Sequence, residues 1–207
     1  MDRQHSFVIG INHRTSIVKT RDALGVSDVS LSKAFHAAFS RCCVKELVLL
    51  STCNRVEWYG STSDLEAAVS DLKSLWSELT GVPLSVIEED AYVFTHEQAV
   101  EHLFRVSCSL DSLVIGEGQI LGQVKSAYFK SAANKGAGLY LNHLFQKAIS
   151  LGKRVRTETE INQGAVSISF AAVEICKKVF QNLSSKTALL VGAGEMSRLA
   201  ATHLNDA

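Results

Sequence analysis

The chain has 207 residues, enough for one large domain, or one domain and part of a second, around a sizeable core. Its 21 Lys and Arg balance 21 Asp and Glu, so bulk charge offers nucleic acid or an anionic membrane no general attraction, and a polyanion would need a local patch. With 46% hydrophobic residues, 20% charged and one proline, the composition is globular and excludes disordered and collagen-like chains. No run approaches the ~20 apolar residues of a membrane span. The five-residue apolar run after Ser6 is too short for a signal-peptide core, so a cytoplasmic protein is expected. Five cysteines without CxxC or paired spacing fit a reducing compartment, and no metal site is expected.

Phe7 to Ile11 reads as a short buried strand, and residues 30–40 place Leu31, Ala34, Phe35, Ala38 and Phe39 at helical spacing. Glu46 to Ser51 is a second strand and Arg55 to Gly60 a third that alternates polar and apolar residues. Thr52-Cys53-Asn54 between them predicts a tight hairpin. Residues 64–80 predict a helix with Leu65, Ala68, Leu72, Leu75 and Leu79 on one side, stopped by Gly81 and Pro83. Residues 91–95 give a fourth strand. The order β-α-β-β-α-β is that of a ferredoxin-like unit, so the expected class is α+β.

Helical patterns follow near 97–109, 118–135, 138–157 and 163–182. At Thr187 to Val191 an apolar strand is predicted, entering Gly192-Ala193-Gly194-Glu195-Met196-Ser197 and a terminal helix. Strand, glycine turn and helix open a dinucleotide-binding βαβ unit, with helix amides facing a pyrophosphate. Ser197 stands where a third glycine is usual. Only 13 residues (195–207) follow Gly194, whereas the residue that reads the ribose lies ~20 positions on. The sequence is therefore expected to hold only the beginning of a Rossmann-type domain.

Cys53 at the hairpin tip is a candidate nucleophile, with Arg55 close enough to favour a thiolate. On spacing alone a packed structural thiol is the commoner fate of a free cysteine. Cys42, Cys43, Cys108 and Cys176 lie in apolar stretches and read as structural. His102 lies at the edge of an apolar helical stripe, where a hydrogen-bonded structural histidine competes with a catalytic one. Gln119 and Gln123 share a helical face. Lys125, Lys130, Lys135, Lys147, Lys153, Arg154 and Arg156 could form a phosphate-contacting patch or a solvated face.

Three runs considered together are more specific: Ser51-Thr52-Cys53-Asn54-Arg55-Val56-Glu57, the stretch from Ser109 to Lys125 (SLDSLVIGEGQILGQVK), and Gly152 to Thr159 (GKRVRTET). With Asn12-His13-Arg14-Thr15 and Val191 to Met196, they resemble in order and spacing the signatures of the glutamyl-tRNA reductase family. The resemblance spans essentially the whole chain. It implies NADPH-dependent reduction of glutamyl-tRNA(Glu) to glutamate-1-semialdehyde through a cysteine thioester, the first step of five-carbon tetrapyrrole (porphyrin, haem) synthesis. It further implies a homodimer in full-length members and glutamate-1-semialdehyde aminomutase as a partner. By position, Cys53 matches the nucleophile and His102 the active-site histidine. Arg55 matches the group that grips the substrate carboxylate, Thr52, Ser112 and Gln123 line the pocket, and Gly192, Gly194 and Glu195 lie in the cofactor turn. The sequence departs from the family at Ser107-Cys108-Ser109, at Gly118 where proline is common, and at Ser16-Ile17, where proline is again common.

These implications predict a catalytic domain over 1–157 and an incomplete NADPH-binding domain over 158–207. Such a chain is expected to acylate Cys53 or hydrolyse the ester, not to reduce it, and to bind NADPH weakly. The alternative is a tRNA-binding or regulatory module without turnover.

Overall fold

The computed structural model describes residues 4–162 and 168–206. Strands β1 (His5–Asn12), β2 (Glu46–Ser51), β3 (Arg55–Thr62) and β4 (Tyr92–Thr95) form one sheet in the order β2-β3-β1-β4. All pairings are antiparallel, with β3 inserted between β1 and β2, so the sheet has the ferredoxin-like topology that the sequence predicts.

Each crossover holds two helices where the sequence predicts one. The first contains α1 (Val18–Leu24) and α2 (Asp28–Arg41), the second α3 (Leu65–Thr80) and α4 (Leu84–Asp90). The two seven-residue helices bury too few residues to display a helical period: α1 buries Arg21 and Leu24, and α4 buries Ile87. Asp64 caps the amide of Ala67, and Gly81, at φ 72°, ends α3 in the left-handed conformation. On α3 the buried stripe includes Trp76, while Leu79, predicted to face inward, is 36% exposed. The Trp76 indole donates to the Leu24 carbonyl at 2.9 Å, so it also ties α3 to α1.

Strand alternation sends Phe7, Ile9, Ile11, Leu47, Leu49, Val56 and Trp58 to one sheet face, packed against α2, α3 and α4. Val8, Val48, Leu50 and Tyr59 point the other way, against α5 (His96–Ser107), α6 (Gln119–Ala133) and α7 (Leu139–Glu158). With helices on both faces, every residue of β3 is buried. The polar alternation in β3 suggests a strand with one wet face; instead its polar side chains are enclosed beneath α5.

Helix α7 is docked by a carboxylate from the sheet. Gly138 precedes the helix and has no side chain to cap it, and Glu46 of β2 accepts from the amides of Gly138 (3.1 Å), Tyr140 (3.1 Å) and Leu141 (2.6 Å). Toward the C-terminus, α8 (Ile168–Phe180) and α9 (Glu195–Asn205) pack on each other, the Phe170 ring meeting His203 edge-on at 5.2 Å. The predicted helix over 163–182 is seen from Ile168; residues 163–167 lie outside the described residues. The strand predicted for Thr187 to Val191 does not form. Its backbone is unpaired and Leu189 is 88% exposed, because a strand needs a hydrogen-bonded neighbour and none is described beside it. Among the described residues no helix is long and apolar enough to cross a membrane.

Gly60 in β3 leaves room for the Phe7 ring: a Cβ there would lie 2.3 Å from Phe7 Cζ. Overpacking of this kind costs about 1–3 kcal/mol. Gly60→Ala is therefore expected to lower Tm by several degrees in a thermal melt, and an unchanged midpoint would contradict this packing.

Candidate active site

The β2–β3 connection is short because Thr52 closes it. Its amide donates to the Arg55 carbonyl at 2.8 Å, and its hydroxyl accepts from the amides of Asn54 (3.2 Å) and Arg55 (3.1 Å). Neither Cys53 nor Asn54 has a positive φ, so the hairpin avoids the mirror-image turns that demand glycine. Cys53 is exposed at this tip. Cys42 and Cys108 are buried, and burial pushes both thiols up, Cys42 to about 11, which disfavours the thiolate at neutral pH.

Two other segments converge on the tip. Residues 12–17, joining β1 to α1, are held by the Asn12 side chain, which accepts from the amides of Arg14 (2.9 Å) and Thr15 (3.3 Å). Arg21 then reaches from α1: its Nε donates to the Cys53 carbonyl at 3.2 Å and its Nη1 to the Ser16 carbonyl. The third segment is the loop of residues 108–118 between α5 and α6, pinned by Arg156 of α7, which donates to the carbonyls of Gly118 and Glu117, each at 2.9 Å. This loop supplies Asp111. One Asp111 oxygen pairs with Arg14 at 3.0 Å, and the other with Arg55 Nη2 at 3.0 Å.

Arg55 is 1% exposed, and its guanidinium is shared. Nη1 donates to Glu57 Oε1 at 2.7 Å, and Nη2 to the Asp111 carbonyl at 2.6 Å as well as to its carboxylate. Glu57 has no exposed surface, yet four side chains meet its carboxylate: Arg55, Tyr92, His102 Nε2 at 2.9 Å and Tyr59 at 2.5 Å. Burial alone would raise the Glu57 pKa, but the Arg55 charge and then His102 override it and hold the carboxyl well below the usual range. Burial and the Glu57 charge push both phenols well above their ordinary value, so Tyr59 and Tyr92 remain donors. Since Oε1 of an ionised Glu57 can only accept, the proton between it and His102 sits on Nε2. The His102 ring is held between Tyr59, Tyr92 and Phe94, with centroids 6.4, 5.3 and 5.1 Å away.

The His13 pKa is lowered, first by burial and then by the neighbouring charges of Arg14 and Arg55, against a smaller opposing effect of Asp111. Its Nδ1, Ser16 Oγ and Ser112 Oγ are sealed from solvent without a hydrogen-bond partner. Three orphaned polar atoms in the segments that converge on the hairpin fit a site that expects a polar guest.

The structure thus places Cys53, Thr52 and Arg55 on one hairpin, joins Arg55 to His102 through Glu57, and sets Ser112 next to the Asp111 that pairs with Arg55. Gln123 lies apart. It lines a cavity of about 300 Å³ with Leu50, Ser51, Ser126 and Lys130, which approaches the hairpin from the β2 side. A larger hollow of about 720 Å³, lined by Val100, Phe104, Leu151 and Val155 of α5 and α7, does not include the hairpin. The expected basic patch is partly consumed internally: Arg156 holds the 108–118 loop, Arg154 pairs with Glu158 at 3.1 Å and Lys130 with Asp28 at 2.6 Å. Sequence reasoning missed Glu57, Tyr92, Asp111 and Arg21 as parts of the site. The available signal was period-two spacing, which puts Arg55, Glu57 and Tyr59 on one face of β3.

At the glycine turn expected to face a cofactor, Gly192 has φ 110°, a conformation that favours glycine, and Gly194 caps α9 without a side chain, leaving the amides that open the helix uncapped by one. That geometry fits a pyrophosphate. The Glu195 side chain lies outside the described residues.

Comparison with known proteins bears on the family and the fold. A family profile described as glutamyl-tRNAGlu reductase, N-terminal domain, matches residues 9–159, and one for shikimate/quinate 5-dehydrogenase matches residues 174–207. The chain is similar to glutamyl-tRNA reductase of Geotalea daltonii, 46% identical over 95% of this chain and 45% of that protein. It is also 46% identical to the Carboxydothermus hydrogenoformans enzyme of that name, over 96% of this chain and 44% of the relative. Among solved structures, glutamyl-tRNA reductase from Methanopyrus kandleri superposes with a TM-score of 0.67 at 37% identity, covering 100% of this chain and 47% of that one. The chain spans less than half the length of these relatives.

Glu57→Gln removes the charge that Arg55 and His102 face, and breaking a buried ion pair costs about 3–5 kcal/mol. Because folding lowers the Glu57 pKa from 4.5, its stabilisation is fully present above that value and is lost as pH falls below it. Urea melts between pH 7 and pH 3 are expected to show the parent losing stability on acidification, and the variant less stable at pH 7 with a shallower decline. Parallel pH curves would contradict the assignment.

Proposed function

Because the chain belongs to the glutamyl-tRNA reductase family, we propose that it takes the glutamyl group from tRNA(Glu) onto the Cys53 sulfur, as the acyl-transfer step of NADPH-dependent reduction to glutamate-1-semialdehyde. The observation that carries this reading is the exposed thiol on a tip whose own carbonyl is held by Arg21 and whose next turn residue but one is Arg55. The sulfur attacks the carbonyl carbon of the aminoacyl ester. A C–S bond forms, the bond to the ribose oxygen breaks, and tRNA leaves with a proton on that oxygen. A thioester is more electrophilic at carbon than the oxygen ester, and its sulfur leaves readily at the aldehyde stage, which explains a cysteine in place of a serine.

Arg55 is held rigid by Glu57 and takes part in binding the glutamyl carboxylate, with Asp111 passing to Arg14, which already holds its other oxygen. His102, fixed through Nε2, presents its other nitrogen for proton transfer at the ester. The Thr52 hydroxyl shapes the tip, the unpartnered Ser112 hydroxyl offers the substrate a hydrogen bond, and Gln123 lines the separate cavity that reaches Ser51 beside the hairpin. Gly192, Gly194 and the first amides of α9 would hold the NADPH pyrophosphate; the cofactor supplies hydride. We place the catalytic domain at 1–157, with 158–207 belonging to the cofactor domain, a division supported by the mutual packing of α8 and α9.

Incubating the chain with glutamyl-tRNA(Glu) and measuring intact mass is expected to show one glutamyl adduct, lost in Cys53→Ser and retained in Cys43→Ser, the other exposed thiol. Absence of the adduct, or its survival in Cys53→Ser, would overturn the assignment.

A further inference from the structure

Three guanidiniums gather around the hairpin tip, and their charges are not all answered. Arg55 pairs with Glu57 and Asp111, and Arg14, 58% exposed in its side chain, shares Asp111. Arg21 is different. It is 6% exposed, its Nε and Nη1 meet only the carbonyls of Cys53 and Ser16, and no carboxylate lies within ion-pair distance among the described residues. Carbonyl dipoles satisfy donors but bring no negative charge, and a buried cation without an anion is costly. Three guanidiniums thus face two carboxylates, and Arg21 is the one without a carboxylate partner among the described residues.

The surroundings of Arg21 are also incomplete. Ser16, whose carbonyl it holds, has a sealed hydroxyl without a partner, and His13, which feels the Arg21 charge, has a sealed Nδ1 without one. One monoanion with hydrogen-bonding oxygens would settle both deficits, and it would do so beside the residue proposed to carry the acyl group. A glutamyl group on Cys53 brings such an anion on a flexible two-methylene arm. Arg55 must exchange Asp111 before it can receive a carboxylate, whereas Arg21 has no carboxylate to exchange.

We infer that Arg21 is a specificity-determining residue of the site, its buried guanidinium pairing with the side-chain carboxylate of the incoming glutamyl group beside Arg55. This inference rests on the acyl-transfer reading above. It assigns chemistry to the Asn12–Arg21 stretch, and it explains selection by charge: a glutaminyl group of the same shape leaves the buried cation unanswered.

The test compares acylation of Cys53 by tRNA(Glu) charged with glutamate and by the same tRNA charged with glutamine, read by intact mass over time. The parent is expected to prefer glutamate strongly. Arg21→Met, which keeps apolar bulk, is expected to reduce the glutamate-to-glutamine rate ratio on the order of 100-fold, with binding of uncharged tRNA unchanged. Arg21→Lys keeps the charge without the fork and is expected to reduce the ratio by about tenfold. If Arg21→Met fails to fold in a thermal melt, Arg21→Lys decides alone. A ratio equal to the parent's in a folded variant, with both rates falling together, would make Arg21 a staple of the loop and overturn the inference while leaving the acyl-transfer reading intact. No adduct on the parent from either tRNA would overturn that reading and this inference with it.

Discussion

The Glu57 carboxylate lies between the sheet and α5 without access to water, and it stays charged there because an arginine, an imidazole and two phenols surround it. Those donors come from β3, β4 and α5, so one ionised group sets the spacing of three elements. Even the neighbouring strand is shaped to it: a Cβ on Gly10 of β1 would stand 2.6 Å from Glu57 Cγ. The dependence is mutual. Remove Arg55 and the carboxylate loses its principal stabilising charge; remove the carboxylate and Arg55 and His102 lose the contact that fixes them.

From this anchor the site extends outward with decreasing burial. Arg55 is sealed, Asp111 links it to Arg14 at the surface, and Cys53 is presented to solvent by a turn that Thr52 closes. The enclosing loops are fixed from outside the site, by Arg156 on residues 117 and 118 and by Glu46 capping the helix that carries Arg156. A rigid interior with an exposed thiol at its wet edge suits the proposed attack on an ester whose other end is a macromolecule. In that proposal the thiol would meet the substrate at the surface, while only a small amino-acid side chain would need to enter among the arginines.

Much of the fold was legible because both periods are strong where packing is strong. The four strands, α2, α3 and the three long helices on the opposite face follow from apolar spacing, and β-α-β-β-α-β order gave the topology. What failed to show were elements whose order comes from tertiary contacts. Helices α1 and α4 are too short to carry a stripe, and Thr187 to Val191, apolar throughout, has no neighbour to pair with. Cys53, Arg55 and His102 were singled out through the family signatures, since position alone did not separate them from ordinary packed residues. Glu57 lies in the signature, but alternation of polar and apolar residues along β3 does not say which face is covered; only the helices laid over that face make it an interior charge. Asp111 and Arg21 lie far from Cys53 in sequence, and which charges cancel is decided by long-range contacts that no local spacing encodes.

The ionised state of Glu57 is the claim on which the rest turns, and it is directly observable. Following the side-chain carboxyl ¹³C resonance of Glu57 by NMR from pH 8 down to pH 4, with the protein folded throughout, should show a carboxylate shift that does not move. A resonance that titrates near the ordinary glutamate value, or sits at the protonated position at neutral pH, would mean that the buried network is held by a neutral acid and that Arg55 and His102 are not fixed as described.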